Sequence, residues 1–154
     1  MRLIIQRVDS ASLSVDGKLI SSIEKGFCVY VGAKVGDTEK DAEYLAKKLC
    51  NLRIFRDEND KMNLSLKDVN GEILLVSNFT LYADCTRGHR PNFCNALNSQ
   101  DAKRLYDYLT DLIKQNNIPV KNGVFGAHMK IDVKNNGPVN IVIDSETKWL
   151  NKPL

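Results

Sequence analysis

The sequence predicts an α/β fold, with one domain over residues 1–154 that contains a mixed, barrel-like β-sheet and two main helices. Apolar and polar residues alternate at the strand period near both ends of the chain, and two internal segments repeat apolar residues at the helix period. Consecutive strands favour antiparallel pairing, whereas strand-helix-strand segments permit a crossover, so a mixed sheet is expected. No linker or repeat divides the 154 residues, a length typical of one domain.

The first part of the chain is predicted to form four strands. Residues 2–8 form a strand, and residues 11–23 form a hairpin whose turn is Asp16-Gly17. That dipeptide accepts the positive φ angles of a type I′ turn. A buried strand then runs from Gly26 to Gly32.

A helix is predicted next, over about 38–52. Thr38 and Asp41 resemble a capping box, with Asp in place of the favoured Glu or Gln. Apolar residues follow at helical spacing, which indicates one buried face. The acidic segment 56–63 is expected to be a surface loop.

The middle of the chain predicts a long strand over 72–82, a loop over 83–96 and a second helix. Ser99 is the expected N-cap of this helix. The helix ends by Asn116-Asn117, because Pro119 cannot continue it.

The last predicted elements are two alternating strands, 129–133 and 139–143, joined by a turn at 134–138. Asn-Gly alone would satisfy a tight hairpin turn. Here Pro138 follows Gly137 at once, so the pair raises a question that the hairpin interpretation does not answer.

Composition excludes several classes of protein. A charged fraction of 27% and a hydrophobic fraction of 43% exclude disordered and fibrous chains. The longest apolar stretches are far shorter than the ~20 residues that span a bilayer, and the N-terminal residues lack the pattern of a signal peptide. We therefore expect a cytoplasmic protein with no membrane partner. The net charge of +3 permits an anionic partner without requiring one.

The four cysteines give little indication of a metal site. Cys28 and Cys50 fall among apolar residues and are expected to be buried. Cys85, His89 and Cys94 could supply three zinc ligands, but a tetrahedral structural site needs a fourth and usually a shorter Cys-Cys interval. We expect no metal and no cofactor.

The segment 77-SNFTL-81 is the first candidate for chemistry. It ends the most apolar strand and offers the hydroxyls of Ser77 and Thr80 with the amide of Asn78. The alternative is a strand that simply becomes polar as it leaves the core. A nucleophile needs an adjacent base, and the chain has only two histidines. No GxSxG motif is present. The sequence therefore offers few side chains for conventional acid/base catalysis.

Two further segments are candidates for binding. Arg87, Arg90 and Phe93 combine positive charge with an aromatic ring, which suits phosphate contact and base stacking in single-stranded nucleic acid. A solvated loop would have the same composition. Gly126-Ala127 removes side-chain bulk, which permits a tight bend or leaves room for a ligand against the backbone.

Taken together, these segments resemble the D-aminoacyl-tRNA deacylases, also called D-tyrosyl-tRNA deacylases, along nearly the whole chain. The motifs that carry the resemblance are MRLIIQRV at 1–8, NLR at 51–53, VSNFTL at 76–81, RPNF at 90–93, FGA at 125–127 and NGPV at 136–139. The resemblance implies that family's fold and a cytosolic homodimer with active sites at the subunit interface. It also implies hydrolysis of the ester between a D-amino acid and tRNA, with glycine on tRNA-Ala as a further substrate.

The resemblance assigns roles to individual residues. It places catalysis at Ser77, Phe79 and Thr80, and chiral selection at a cis Gly137-Pro138 pair with Arg7. The positions that it assigns to substrate binding are Asn78, Leu81, Ala96, Phe125, Gly126, Ala127 and Met129. Candidates for tRNA contact are Arg87, Arg90 and Phe93.

In the related enzymes the cis pair enters the partner's pocket and turns two carbonyl oxygens toward the substrate α-carbon, where an L-side chain would collide. Thr80 and the substrate's own 2′-hydroxyl both remain candidates for driving the reaction, with backbone amides near Phe79 and Thr80 stabilising the oxyanion. This chain departs from the family at Asn78, where glutamine is usual, and at Asn140, where threonine is usual. Both departures bear on amino-acid preference.

Two hypotheses from other functional classes are also compatible with the sequence. A noncatalytic RNA-binding module would use Arg87, Arg90 and Phe93 and would bind tRNA without cleaving an ester. A thiol or serine hydrolase of small esters would depend on Ser77 or Cys85. Hydrolysis of a D-aminoacyl ester rules out the first, and full activity of alanine variants rules out the second.

Overall fold

The computed structural model describes residues 1–147, and its architecture is a curved sheet with two helices packed on one face. In chain order the elements are β1 (Arg2–Val15), β2 (Lys18–Ile23), β3 (Gly26–Gly32), α1 (Glu39–Cys50), β4 (Phe55–Arg56), β5 (Met62–Leu64), β6 (Glu72–Ser77), a 3₁₀ turn (Phe79–Tyr82), α2 (Ser99–Gln115), β7 (Val120–Asn122) and β8 (Lys130–Asp144). Neither helix in this described part is long and apolar enough to cross a membrane.

The sheet is mixed and centred on β1. One edge of β1 pairs antiparallel with β3 over its first half and with β2 over its second half, and the other edge pairs antiparallel with β8. β6 and then β7 extend the sheet from β3 in parallel. Gly26 permits the close approach of β3 to β6, because a Cβ atom there would overlap the Glu72 carbonyl oxygen.

The ends of the sheet curl toward each other. The Ser21 hydroxyl of β2 donates to the Asn122 carbonyl of β7 at 2.7 Å, and Lys121 Nζ donates to the Ser22 carbonyl at 2.7 Å. These bonds join strands that are not neighbours in the sheet order. The predicted barrel-like mixed sheet with two main helices is thus confirmed.

The helices cover one face of the sheet, which we call the helix-covered face. The Thr38 N–H donates to the Asp41 carboxylate at 2.8 Å at the start of α1, as its sequence predicted. Both helices bury their apolar stripes against alternate strand residues, among them Phe27, Val29, Ile73 and Leu75. This is the main core of the protein.

The opposite face, which we call the open face, has a second and smaller apolar cluster. Cys28, Leu74 and Val76 belong to it, together with residues of β1. Ile4 pairs with Tyr30 on one side and Val142 on the other, so these three side chains share this face. No helix of the described chain covers Val142, whose exposed fraction is 63%.

The predicted hairpin at the end of the chain is wrong. Residues 130–144 form one strand that pairs with β1 before and after the expected turn. Between those stretches the register shifts twice, and Arg7 Nε and Nη2 donate to the carbonyl and side-chain oxygens of Asn136 at 3.2 and 3.0 Å. Lys134 and Asn135 still pair with β1, so the excursion is confined to residues 136–139 of a continuous strand, because long-range pairing with β1 outweighs the local turn signal.

Several boundaries also differ from prediction. The strand expected over 72–82 ends at Ser77, and β1 continues through the interval expected to separate residues 8 and 11. Asn98 rather than Ser99 caps α2, since its side-chain oxygen accepts the Asp101 N–H at 3.0 Å. The acidic loop contains the β4–β5 hairpin, and the short strand β7 was not predicted.

Candidate active site

A pocket of about 710 Å³ lies where β6 ends, bordered by the open-face residues Tyr30 and Val76. Most residues predicted for the site line it: Ser77, Asn78, Phe79, Thr80, Phe93, Ala96, Phe125, Gly126, Ala127 and Met129. The predicted residues outside its lining are Arg7, Leu81, Arg87, Arg90, Gly137 and Pro138. The predicted residues that the pocket brings together are up to 52 positions apart, from Ser77 to Met129.

Asn78 determines how the chain leaves β6. Its N–H donates to the Val31 carbonyl at 2.8 Å, which extends the pairing of β6 with β3. Its side-chain oxygen then accepts the Thr80 N–H at 3.1 Å and the Thr80 hydroxyl at 2.5 Å. These bonds cap the 3₁₀ turn and hold Thr80 at the exposed rim.

Side chains that could act as strong bases are scarce in this pocket. No Asp, Glu, Lys, Arg or Cys occurs among the described residues that line it, and His128 is its one imidazole. Burial raises the pKa of Tyr30, and it raises the pKa of Tyr106 to about 12. Both phenols therefore stay protonated at neutral pH and can donate hydrogen bonds rather than remove protons.

Tyr106 connects α2 to the floor of the pocket. Its hydroxyl donates to the Leu75 carbonyl at 2.7 Å and accepts from the Asn122 amide at 2.8 Å. Its ring lies 5.9 Å from the Phe125 ring, centroid to centroid. Beyond Phe125, Gly126 has φ +76° and the Ala127 N–H donates to the Val124 carbonyl, so the small pair does form a tight bend.

The loop over 83–96 returns to the pocket through one aromatic contact. Asp84 and Asn92 exchange two backbone hydrogen bonds of 2.7 and 2.9 Å, and the Phe93 ring meets the Phe79 ring edge-to-face at 5.0 Å. Arg87 and Arg90 lie on the exposed outer part of this loop. The loop therefore contributes an aromatic wall to the pocket, with its arginines outside.

The Gly137-Pro138 segment lies apart from the pocket of the same chain. Its peptide bond is cis, and Gly137 has φ +131°. Arg7 holds the excursion through Asn136, and its Nη1 also donates to the Ile54 carbonyl at 2.6 Å. Further along β8, the Asn140 side-chain oxygen accepts the Gln6 amide at 3.1 Å.

No three His, Cys, Asp or Glu side chains within residues 1–147 converge as a group that could hold a metal ion. Cys85, His89 and Cys94 therefore do not form the zinc site weighed from the sequence. Cys28 and Cys50 are buried, and Cys85 and Cys94 are exposed, as free thiols.

Sequence reasoning missed part of the pocket lining. Tyr30, Tyr106 and His128 line it, although none of them was assigned to the site. Tyr30 lies in a strand that was predicted to be buried. Tyr106 lies on α2, beside the apolar residues that this helix buries. A tyrosine among aliphatic residues was the available signal, because its hydroxyl needs a partner or a cavity.

Comparison with known proteins identifies the family. The family described as D-Tyr-tRNA(Tyr) deacylase matches residues 4–144. The chain belongs to this family. A D-aminoacyl-tRNA deacylase from Clostridium perfringens (strain SM101 / Type A) is 52% identical over 149 residues, which are 97% of this chain and 100% of the relative. The D-Tyr-tRNA(Tyr) deacylase family is a hydrolase family, so the family and enzyme class predicted from the sequence are confirmed.

Solved structures agree with the fold of this D-Tyr-tRNA(Tyr) deacylase family member. The structure of a c-Myc DNA Unwinding Element Binding Protein superposes with a TM-score of 0.87 at 36% identity, over 94% of this chain and 98% of that one. A second structure, "Structural Analysis of a probable eukaryotic D-amino acid tRNA deacylase", has a TM-score of 0.79 at 18% identity, over 93% and 98%. At that identity the second likeness bears on the fold alone.

Proposed function

We propose that the chain hydrolyses the ester that joins a D-amino acid to the terminal adenosine of tRNA and leaves the L-ester intact. Family membership and the names of the relatives support this activity. The pocket supports it as well, because an apolar lining with few polar groups suits an aminoacyl side chain. We place the activity in the cytoplasm, as expected from the sequence.

The observation that carries the proposal is the separation of two motifs within one chain. Thr80 and Phe79 line the pocket, whereas Gly137 and Pro138 lie on the exposed excursion of β8 and do not. If the pair acts on a substrate in the pocket, a second copy of the chain must supply it. We therefore propose a homodimer in which each pocket receives the Gly137-Pro138 segment of the partner subunit.

Chiral selection follows from that arrangement. We propose that the carbonyl oxygens of the Gly137-Pro138 segment face the α-carbon of the bound aminoacyl group. A D-residue presents its hydrogen there, and an L-residue presents its side chain, which collides. The site is thus built against the wrong substrate, which also leaves glycine, with two α-hydrogens, as an accepted acyl group on tRNA-Ala.

The chemistry that suits this pocket relies on the substrate. Water adds to the ester carbonyl carbon, the bond to the ribose 3′-oxygen breaks, and the neighbouring 2′-hydroxyl passes the proton of that water to the departing oxygen. The Thr80 N–H is already bonded to Asn78, so the Phe79 N–H is the proposed donor to the oxyanion. This differs from the expectation that both amides serve.

Paired assays on D-tyrosyl-tRNA and L-tyrosyl-tRNA test the activity. We expect rapid release of D-tyrosine and no release of L-tyrosine above the uncatalysed rate. Equal rates on both esters, or none on either, would refute the proposal. Glycyl-tRNA-Ala in the same assay tests the second acyl group, and light scattering of the same sample tests the homodimer.

The source of the reacting proton is tested by two changes. Thr80→Ala is expected to retain measurable hydrolysis, because the 2′-hydroxyl rather than Thr80 handles the proton. A D-aminoacyl-tRNA with a terminal 2′-deoxyribose is expected to be nearly inert. Complete loss in folded Thr80→Ala, with unchanged turnover of the deoxy substrate, would instead identify Thr80 as the nucleophile.

A second candidate function is nucleic-acid binding without hydrolysis. It is favoured by the 36% identical structure named for binding a DNA unwinding element. It predicts that the chain retains a nucleic acid without releasing an amino acid. Cleavage of D-tyrosyl-tRNA rules it out as the sole function, and the paired assay therefore separates the two candidates.

A further inference from the structure

A second cavity, of about 130 Å³, lies beside the Gly137-Pro138 segment and shares no lining residue with the larger pocket. It is lined by Arg7, Val8, Asp9, Lys25, Phe55, Arg56 and Asn136. Three of these residues are cations and one is a carboxylate. The larger pocket at the end of β6, by contrast, has no lysine or arginine in its described lining. The small cavity is therefore the basic one.

Arg7 gives this cavity a cation that no carboxylate neutralises. Its exposed fraction is 4%, and its guanidinium donates to the Ile54 carbonyl, the Asn136 carbonyl and the Asn136 side-chain oxygen. All three acceptors are neutral, and a guanidinium has five N–H donors. None of the ion pairs formed by residues 1–147 includes Arg7.

The other two cations are available to a ligand. Lys25 Nζ lies 5.5 Å from the Phe55 ring centroid and is in none of the ion pairs of the described chain. Arg56 pairs with Asp60, but both side chains are more than half exposed, and such pairs contribute little. The carboxylate of Asp9 already accepts the Asn136 amide at 2.7 Å. The cavity thus has a net positive charge.

We propose that this cavity binds a phosphate group of the tRNA backbone. The inference rests on the proposed function, since Asn136 directly precedes the Gly137-Pro138 pair that is placed at the partner's pocket. The cavity then lies at the rim of that pocket, where the acceptor strand leaves it. A volume of about 130 Å³ suits a phosphate rather than a nucleobase, and the surrounding cations replace the counterions of the backbone.

The test removes the two exposed cations and leaves Arg7 in place. Lys25→Gln/Arg56→Gln is compared with Lys47→Gln/Lys114→Gln, which removes one exposed charge from each helix at positions that do not line the cavity. We expect the first variant to raise KM for D-tyrosyl-tRNA by about fivefold, with kcat unchanged. Between about 50 and 200 mM salt its logarithmic salt slope should fall by about one.

Two further measurements show whether the change in KM comes from phosphate contacts. The ester 3′-O-(D-tyrosyl)adenosine has no phosphate, so its cleavage should not differ between the two variants. Uncharged tRNA, measured by filter binding, should bind about fivefold more weakly to Lys25→Gln/Arg56→Gln than to the control. This last measurement does not need catalysis, so it decides the phosphate site even if the wild-type chain cleaves neither ester.

The inference is overturned if both variants have the same KM and the same affinity for uncharged tRNA. It is also overturned if inorganic phosphate protects Lys25 from acetylation while the KM for tRNA is unaffected by the substitutions. That result would assign the cavity to free phosphate. Absence of wild-type hydrolysis on both esters would instead refute the proposed function alone.

Discussion

The two faces of the sheet differ in what covers them. On the helix-covered face Phe27 and Leu75 are fully buried beneath α1 and α2. On the open face Val142 is 63% exposed, and at the end of β6 Phe79 is 57% exposed. The same alternation supplies apolar side chains to both faces. From this difference we expect stability to depend mainly on the covered face, and we expect the exposed apolar side chains of the open face to be available for binding.

The largest expected effect tests this contrast directly. Phe27→Ala should lower the free energy of unfolding by about 4 kcal/mol, because it leaves a cavity in the main core. Phe79→Ala should lower it by less than about 1 kcal/mol, since that ring is largely exposed. Denaturant titration measures both, and D-tyrosyl-tRNA hydrolysis should fall much further in Phe79→Ala. If both variants lost a similar free energy of unfolding, the two faces would not differ in their contribution to stability.

Two ion pairs, one buried and one exposed, provide the next comparison. The Met1 ammonium and the Asp37 carboxylate lie 2.7 Å apart with exposed fractions of 1% and 4%. Asp37→Asn should cost about 3 kcal/mol, because a buried ammonium loses its counter-charge. Asp107→Asn, which breaks the exposed pair with Lys103, should cost less than about 0.5 kcal/mol. Equal changes in thermal unfolding would contradict this ranking.

Thiol reactivity compares buried with exposed positions on both faces without mutation. Burial raises the pKa of both Cys28 and Cys50 to about 11, whereas Cys85 and Cys94 are exposed. A raised pKa means that the thiolate is scarce below it, so at pH 8 the buried thiols are expected to react at least about a hundredfold more slowly. Mass spectrometry after brief alkylation should find label at Cys85 and Cys94. Label at Cys28 in the folded protein would show that the open-face cluster opens readily.

The smallest expected effect concerns the excursion of β8. A Cβ atom at Gly137 would lie 2.9 Å from the Val139 nitrogen and 3.1 Å from Arg7 Nη2, at φ +131°. Gly137→Ala should therefore displace the segment and lower the ratio of D- to L-tyrosyl-tRNA cleavage by about tenfold. Gly36→Ala is the control, because it has a positive φ with no atom near the added Cβ. If Gly137→Ala left the ratio of D- to L-tyrosyl-tRNA cleavage unchanged, this segment would not take part in chiral selection.

Local signals predicted the elements whose cause is local. Asp16-Gly17 forms the expected turn, and β3 runs from Gly26 to Gly32 as expected. The Asp41 carboxylate accepts a hydrogen bond from the Thr38 N–H at the start of α1. The motif around Thr80 likewise predicted four residues of the pocket lining, Ser77, Asn78, Phe79 and Thr80. These features depend on a few adjacent residues, so the sequence displays them directly.

Other features depend on partners far away in the chain. The residues at 134–138 read as a turn, yet they stay within one strand because β1 pairs with β8 on both sides of them. Tyr106 reaches the pocket only because α2 packs over β6. Neither contact can be predicted from the local sequence pattern.

By itself, then, the amino-acid sequence determined the fold class, the family and ten of the 21 residues that line the pocket at the end of β6, because periodicity and motifs are local. Only the tertiary structure decided that the Gly137-Pro138 segment lies apart from the pocket of its own chain. Only the tertiary structure placed Lys25 and Arg56 beside the buried Arg7. Both results come from long-range strand pairing, which sets residues distant in sequence next to each other.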